Sequence, residues 1–231
     1  MRKTTRLAYA LLLTTLASLY GFTVFRSMRE READRYVPPL ASTPSHTVTP
    51  RMSDASDAMQ DRLLASFQRE GSDGKTYDLK TLLDRGPVVL TFTKVGCPCS
   101  VAAQPFFNQV ALAFPGVTVL GVVNAEQGPA RLWAERIQPV YPQLLDPDET
   151  LIQACGVENS AYVVVVGPDG RIVGHWPGIS QAMLHALGNS LAHLTGTQPT
   201  HALDVREAPE EMYTGCPFLK ADADAAPAPP S

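Results

Sequence analysis

Gly86-Pro87-Val88-Val89-Leu90-Thr91-Phe92-Thr93-Lys94-Val95-Gly96-Cys97-Pro98-Cys99-Ser100 joins a buried-strand signal, a tight turn and two thiols. Val88 to Thr93 is a short, β-branched, largely apolar run, which suits a central strand covered on both faces. It is stopped by Gly-Cys-Pro. From Ser100 onward Phe106, Phe107, Val110, Ala111 and Phe114 form a helical face closed by Pro115-Gly116. Cys97 therefore stands just before a helix N-terminus, where unpaired N–H groups and the helix dipole favour a thiolate, with Lys94 as a further cation. Cys97 is the candidate nucleophile.

Around this stretch the elements alternate as in an α/β fold with a central mixed sheet. Phe67 to Leu83 reads as a hairpin and a short helix around Gly71-Ser72-Asp73-Gly74-Lys75. Val117 to Val123 is a second buried strand, followed by helices at Pro129 to Ile137 and Asp148 to Cys155. Tyr162 to Val166 and Arg171 to His175 make a hairpin about Pro168-Asp169-Gly170. Ile179, Met183, Leu187, Leu191 and Leu194 lie on one face of a closing helix that ends at Gly196. Both thiols of the Cys-Pro-Cys turn then sit at the C-terminal end of a central strand, where open α/β sheets place their chemistry.

The 231 residues allow one ordinary domain with appendages, and a formal net charge of −4 gives no reason to expect a nucleic-acid partner. Residues 1–6 are a short basic N-terminus with Arg2, Lys3 and Arg6. Residues 7–25 carry no charge and match the roughly 20 residues that span a bilayer, with Arg26 following. A cleaved signal peptide is the competing reading, but no Ala-x-Ala site follows the stretch. The expected arrangement is a single-pass membrane anchor with the large domain on the extracytoplasmic side. Residues 26–60, with Pro38, Pro39, Pro44 and Pro50 among small polar residues, read as a flexible linker, with an amphipathic turn or two from Ala55 leading into the domain. The domain itself is 61–196, followed by an extension at 197–220 that holds Cys216 and a disordered tail, 221–231, rich in Ala, Pro and Asp.

The order strand, cysteine turn, helix and Pro105 resembles the active-site segment of the thioredoxin-like superfamily, and more narrowly its redoxin branch. That branch comprises the peroxiredoxin-like AhpC/TSA group and the membrane-tethered thiol–disulfide reductases. The likeness runs from about Ala65 to Leu194 and includes Leu144-Leu145-Asp146-Pro147, Gly156-Val157, the Val163–Val166 strand and Gly167-Pro168-Asp169-Gly170. It implies a thiol-dependent oxidoreductase that needs no cofactor. Its partners would be a thiol or disulfide protein acting as electron donor, or a small peroxide. Aligned on Phe92 and Pro105, Ser100 takes the usual Cys-x-x-Cys partner position, and Ala161 takes the place of the cis-proline of the reductases. Lys94 stands where AhpC/TSA peroxiredoxins carry a peroxide-binding Thr.

A nucleophilic thiolate needs a second sulfur to resolve its intermediate, and Cys99, Cys155 and Cys216 are available. A Cys97–Cys99 disulfide would close a small strained ring. Cys155 lies among Ile152, Ala154 and Val157 and reads as a core thiol. Thr214-Gly215-Cys216-Pro217-Phe218 resembles the Gly-Cys tail of some redoxins, and we expect it to fold back on the site. The catalytic candidates are thus Cys97, Cys99 and Cys216. The non-enzymatic alternative is a copper-binding or assembly factor of the Sco type, using Cys97 and Cys99 as soft ligands. Val157-Glu158-Asn159-Ser160 parallels that family's Val-Asp-His-Ser element, with Asn in place of the imidazole. The five histidines, His46, His175, His185, His193 and His201, show no ligand spacing and read as surface or satisfied core residues, so no metal site is expected.

Overall fold

The computed structural model of the chain describes residues 46–218. Its centre is a five-stranded mixed sheet in the order β5-β4-β3-β6-β7. Here β3 is Val88–Thr93, β4 is Thr118–Val123, β5 is Gln143–Leu145, β6 is Val163–Val166 and β7 is Ile172–Trp176. β3, β4 and β5 run parallel, and β6 is antiparallel to both β3 and β7. All six residues of β3 are buried. Its alternation feeds two cores. Val89 joins the apolar cluster on one face of the sheet, while Val88, Leu90 and Phe92 join the cluster on the other.

The first core takes Phe107 and Val110 of α3 (Pro98–Ala113) and Met183, Leu184, Leu187 and Leu191 of α6 (Gln181–Thr195). The second takes Met52 of α1 (Pro50–Asp57), Leu79 and Leu82 of α2 (Leu79–Leu83), and Leu151 and Ile152 of α5 (Thr150–Ala154). A third, smaller cluster packs Ala130, Trp133 and Ile137 of α4 (Gln127–Ile137) against Val123 and Leu145. A separate hairpin, β1 (Gln68–Glu70) with β2 (Thr76–Asp78), lies ahead of α2, which Asp78 caps by accepting from Thr81 N–H at 2.9 Å. Ser180 does the same for α6, accepting from Met183 N–H at 3.1 Å, and Gly196 ends that helix in the left-handed conformation.

The ordered chain extends beyond the expected limits at both ends of the domain. The expected linker, 26–60, gives way to α1, whose Thr49 cap accepts from Met52 N–H at 3.3 Å and whose Met52 and Ser56 are buried. The proline at the first helical turn, read as a linker signal, starts a helix instead. The extension beyond α6 has no regular element, but Ala208 and Phe218 are buried and its backbone hydrogen-bonds to the domain at several points. The expected anchor, 7–25, and the expected disordered tail, 221–231, lie outside the described residues. Among the described residues no helix is long and apolar enough to cross a membrane.

α1 is fastened to the sheet through His175 on β7. Its Nε2–H donates to Cys155 O at 2.9 Å, which leaves Nδ1 to accept from the Ser56 hydroxyl at 2.5 Å. The ring is buried edge-on to Tyr162, and burial lowers its pKa. With the folded pKa depressed, the unfolded chain binds the extra proton. The neutral ring's contribution to stability is thus complete above about pH 6.5 and is lost as pH falls below that value. Urea midpoints measured from pH 8 to pH 5 should fall on acidification, and the slope below about 6.5 should shrink in His175→Gln. An unchanged slope in the variant would exclude His175 as its source.

Candidate active site

Cys97 is the N-cap of α3, with Gly96 before it at φ 80° and Pro98 opening the helix. No side chain caps this terminus. The turn is held from the other side, where Ser100 Oγ accepts from Lys94 N–H at 3.1 Å and is itself wholly buried. Ser100, at the usual position of a second thiol, is thus a structural residue of the turn.

Facing Cys97 is the loop 158–161, which enters β6. Ala161 has φ 64°, a left-handed conformation that costs a residue with a Cβ about 1–2 kcal/mol, and it is fixed there by donating N–H to Phe92 O at 2.7 Å. The loop brings Ser160 to the sulfur, and the Ser160 hydroxyl donates to Cys97 Sγ at 3.3 Å.

The C-terminal extension lies along this loop, joined to it by a single antiparallel bridge between Asn159 and Pro217. Ser160 N–H donates to Cys216 O at 2.9 Å, Gly215 N–H donates to Ser160 O at 2.8 Å, and Phe218 N–H donates to Glu158 O at 2.9 Å. The Asn159 side-chain amide donates to Gly215 O at 2.8 Å. The approach is close enough that Gly215 has no room for a Cβ, which would fall on Ser160 Oγ and within 2.7 Å of Ser160 O. Tyr213 pairs with Ile179, donating N–H at 3.0 Å and accepting at 2.8 Å, and a Cβ at Gly178 would strike its carbonyl. Lys94 reaches across to donate Nζ–H to Pro217 O, with Phe218 O at 3.5 Å. Cys216 N–H then points at Cys97 Sγ from 3.3 Å.

The electrostatics follow from these donors. The Cys99 thiol, then the Cys216 thiol, the Ser160 hydroxyl and the Cys216 N–H all stabilise negative charge on Cys97. They outweigh burial, which acts the other way, and hold Cys97 well below the ordinary thiol range. Cys99 and Cys216 move up. The hydrogen bond Cys99 makes to Cys97 is the larger cause for the first, and burial the larger cause for the second. Lys94, expected beside Cys97, instead lies with the tail, where its charge opposes the upward shift of Cys216. Cys155 is fully buried and pushed far up by desolvation, as befits a core thiol.

Cys97, Cys99 and Cys216 are therefore gathered in one place, and Cys155 lies apart in the opposite core cluster. Two partners escaped the sequence reading. His46 Nδ1 lies 3.2 Å from Cys99 Sγ, although far from it in the chain, and Ser160 carried no signal beyond its place in the loop. Among the described residues no group of three His, Cys, Asp or Glu side chains is placed to hold a metal ion. Asn159, standing where a Sco-type imidazole would be, is engaged by the tail.

Residues 61–175 match the model of the AhpC/TSA family. Among solved structures, the chain is similar to peroxidoxin BcpB from Mycobacterium tuberculosis, at 22% identity over 60% of this chain and 97% of that one, with a TM-score of 0.49. The thioredoxin domain of a thiol-disulfide oxidoreductase from Bacteroides vulgatus is similar at 16% identity, 57% and 97% coverage and a TM-score of 0.51. An uncharacterized conserved protein from Geobacillus kaustophilus is similar at 17% identity, 71% and 94% coverage and a TM-score of 0.54. No curated protein matches.

Removing one donor tests the thiolate. A hydrogen bond to a charged group is worth about 1.5–3 kcal/mol, which corresponds to roughly one to two pKa units. Ser160→Ala should raise the Cys97 pKa by about one unit, read from the pH dependence of its alkylation by iodoacetamide. A superimposable profile would remove Ser160 from the account.

Proposed function

Since the chain belongs, through residues 61–175, to the AhpC/TSA family of thioredoxin-like thiol redox proteins, we propose that it is a thiol–disulfide oxidoreductase working through a Cys97–Cys216 couple. The observation that carries this reading is the docking of Cys216 on Cys97, with its backbone N–H 3.3 Å from Sγ. Cys97 as thiolate attacks a substrate disulfide, forming a mixed disulfide and releasing one substrate thiolate. Cys216 then gives up its proton, attacks Cys97 Sγ and releases the second. The substrate gains two electrons, one proton from Cys216 and one from solvent, and the chain is left with a Cys97–Cys216 disulfide that a dithiol donor reduces. Cys216 is the more exposed of the two sulfurs, the one an incoming reductant meets first.

Peroxide reduction is the second reading, and the closed site favours it, because Cys97 is only 2% exposed and a small oxidant needs little room. There the Cys97 thiolate takes one oxygen from the peroxide and becomes a sulfenic acid, releasing hydroxide or alkoxide. Cys216 displaces that oxygen as water and forms the same disulfide. The site lacks the peroxide-binding Thr, with Lys94 in its place. In either reaction we place the domain on the extracytoplasmic side of a membrane, held by residues 7–25, on the strength of that uncharged stretch.

Non-reducing peptide mapping after one equivalent of a small disulfide should recover Cys97 linked to Cys216. Cys216→Ser should stall as the mixed disulfide on Cys97, and Cys99→Ser should still cycle. Recovery of Cys97 joined to Cys99, with Cys216 free, would overturn the assignment. Hydrogen peroxide in place of the disulfide separates the two readings, since a rate no faster than that of an ordinary thiol excludes the peroxidase.

A further inference from the structure

The tail that supplies Cys216 also closes the site. Cys97 is 2% exposed at the N-cap of α3, and residues 213–218 lie against it, with Cys216 N–H 3.3 Å from its sulfur. The cover is fastened at both ends and in the middle. Tyr213 pairs with Ile179, and Thr214 N–H donates to His46 O at 2.8 Å. Gly215 and Cys216 pair with Ser160, and Asn159 holds Gly215 O. Phe218, 4% exposed, is sunk into the core cluster that contains Phe92, Val157 and Tyr162, and Lys94 clasps the carbonyls beside it.

A substrate disulfide must approach the Cys97 sulfur in line with its own S–S bond, and with the tail seated the atoms of Cys216 already occupy the space in front of Sγ. We propose that residues 213–218 are a gate that excludes bulky disulfides from Cys97 while seated, and that must lift to admit them and return to resolve them. This rests on the role given to Cys216 above. The hinge lies on the N-terminal side of Tyr213, where the extension has no regular element, and the latch is the group Gly215, Asn159, Phe218 and Lys94. The seated strand is held largely by main-chain hydrogen bonds, which water can replace when it lifts. Phe218 leaves the second core cluster in doing so, and Tyr213 and Cys216 leave the margin of the first. Small reagents are filtered less than large ones.

The test uses the reduced full chain and two alkylating probes for Cys97, iodoacetamide and a maleimide carried on polyethylene glycol, with Cys97 labelling read by fragment-ion mapping. Phe218→Ala removes the buried anchor, and Gly215→Val sets a side chain against Ser160 without touching the core. Either variant should react with the polymer maleimide at least tenfold faster than the parent chain, with a much smaller change toward iodoacetamide. The direction is diagnostic, since losing the Cys216 N–H weakens the Cys97 thiolate and by itself slows both reagents. Two variants guard against a folding defect, and far-ultraviolet circular dichroism reports on each. Polymer labelling within twofold of the parent in both folded variants would overturn the gate. Whether oxidation joins Cys97 to Cys216 is scored separately in the parent chain, so the couple can fail while the gate stands, or the reverse.

Discussion

Burial and ionisation pull in opposite directions at Cys97, and the surrounding structure is arranged around that opposition. A residue 2% exposed should resist losing its proton, yet the polar groups around its sulfur are donors: two thiols, a hydroxyl and a backbone N–H. They come from three different parts of the chain. Cys99 is the second residue of α3, Ser160 is delivered by the strained backbone at Ala161, and Cys216 arrives on the extension. The thiolate is thus assembled by tertiary structure. The helix terminus alone, with no side-chain cap and a proline in its first turn, would supply only part of the stabilisation.

The same geometry explains why the loop before β6 and the extension are described best as one unit. The four-residue loop 158–161, ending in a left-handed Ala, leaves the Glu158 C=O and the Ser160 N–H and C=O facing the extension, and buried or half-buried backbone groups need partners. The extension satisfies them in antiparallel register, Asn159 opposite Pro217. Glycine is needed at 215 by contact with Ser160 and at 178 by contact with Tyr213, so both glycines record how closely the extension approaches. Pro217, lacking an N–H, sits where the strand has no donor to offer, consistent with its edge position.

Much of this was legible in the sequence. The unbroken Val88–Thr93 run, the cysteine turn, the 3.6-residue periodicity from Phe106 and the Pro168-Asp169-Gly170 turn are local patterns, and each names its element within a residue or two. The docking of the extension was suggested by Gly, Cys, Pro and Phe standing together in an otherwise irregular segment. What could not be read was anything set by contact between distant segments. His46 meets Cys99, Ser56 meets His175, and Lys94 turns toward Pro217 because of the way loops cross, and no periodicity encodes such a meeting. α1 was hidden for another reason. Its composition is polar and its register with the sheet is fixed by one methionine and one serine, too little for a periodic signal.

The division of labour between the two neighbouring thiols follows from the same contacts. Cys99 lies in the first turn of a helix, two residues from Cys97, where the helical backbone fixes its direction and a disulfide would demand a distorted turn. Its thiol is held between Cys97 and His46, and the hydrogen bond it makes to Cys97 keeps its proton on. Such a group serves the thiolate by remaining protonated. Cys216 differs on each count: it comes from a separate segment whose position can adjust, it is the more exposed sulfur, and Lys94 beside it favours its charged form. When Cys97 is converted to a disulfide it loses the negative charge that its donors were holding. In the proposed cycle the upward pull on Cys216 from Cys97 goes with it, so that a resolving Cys216 becomes easier to ionise once there is something to resolve.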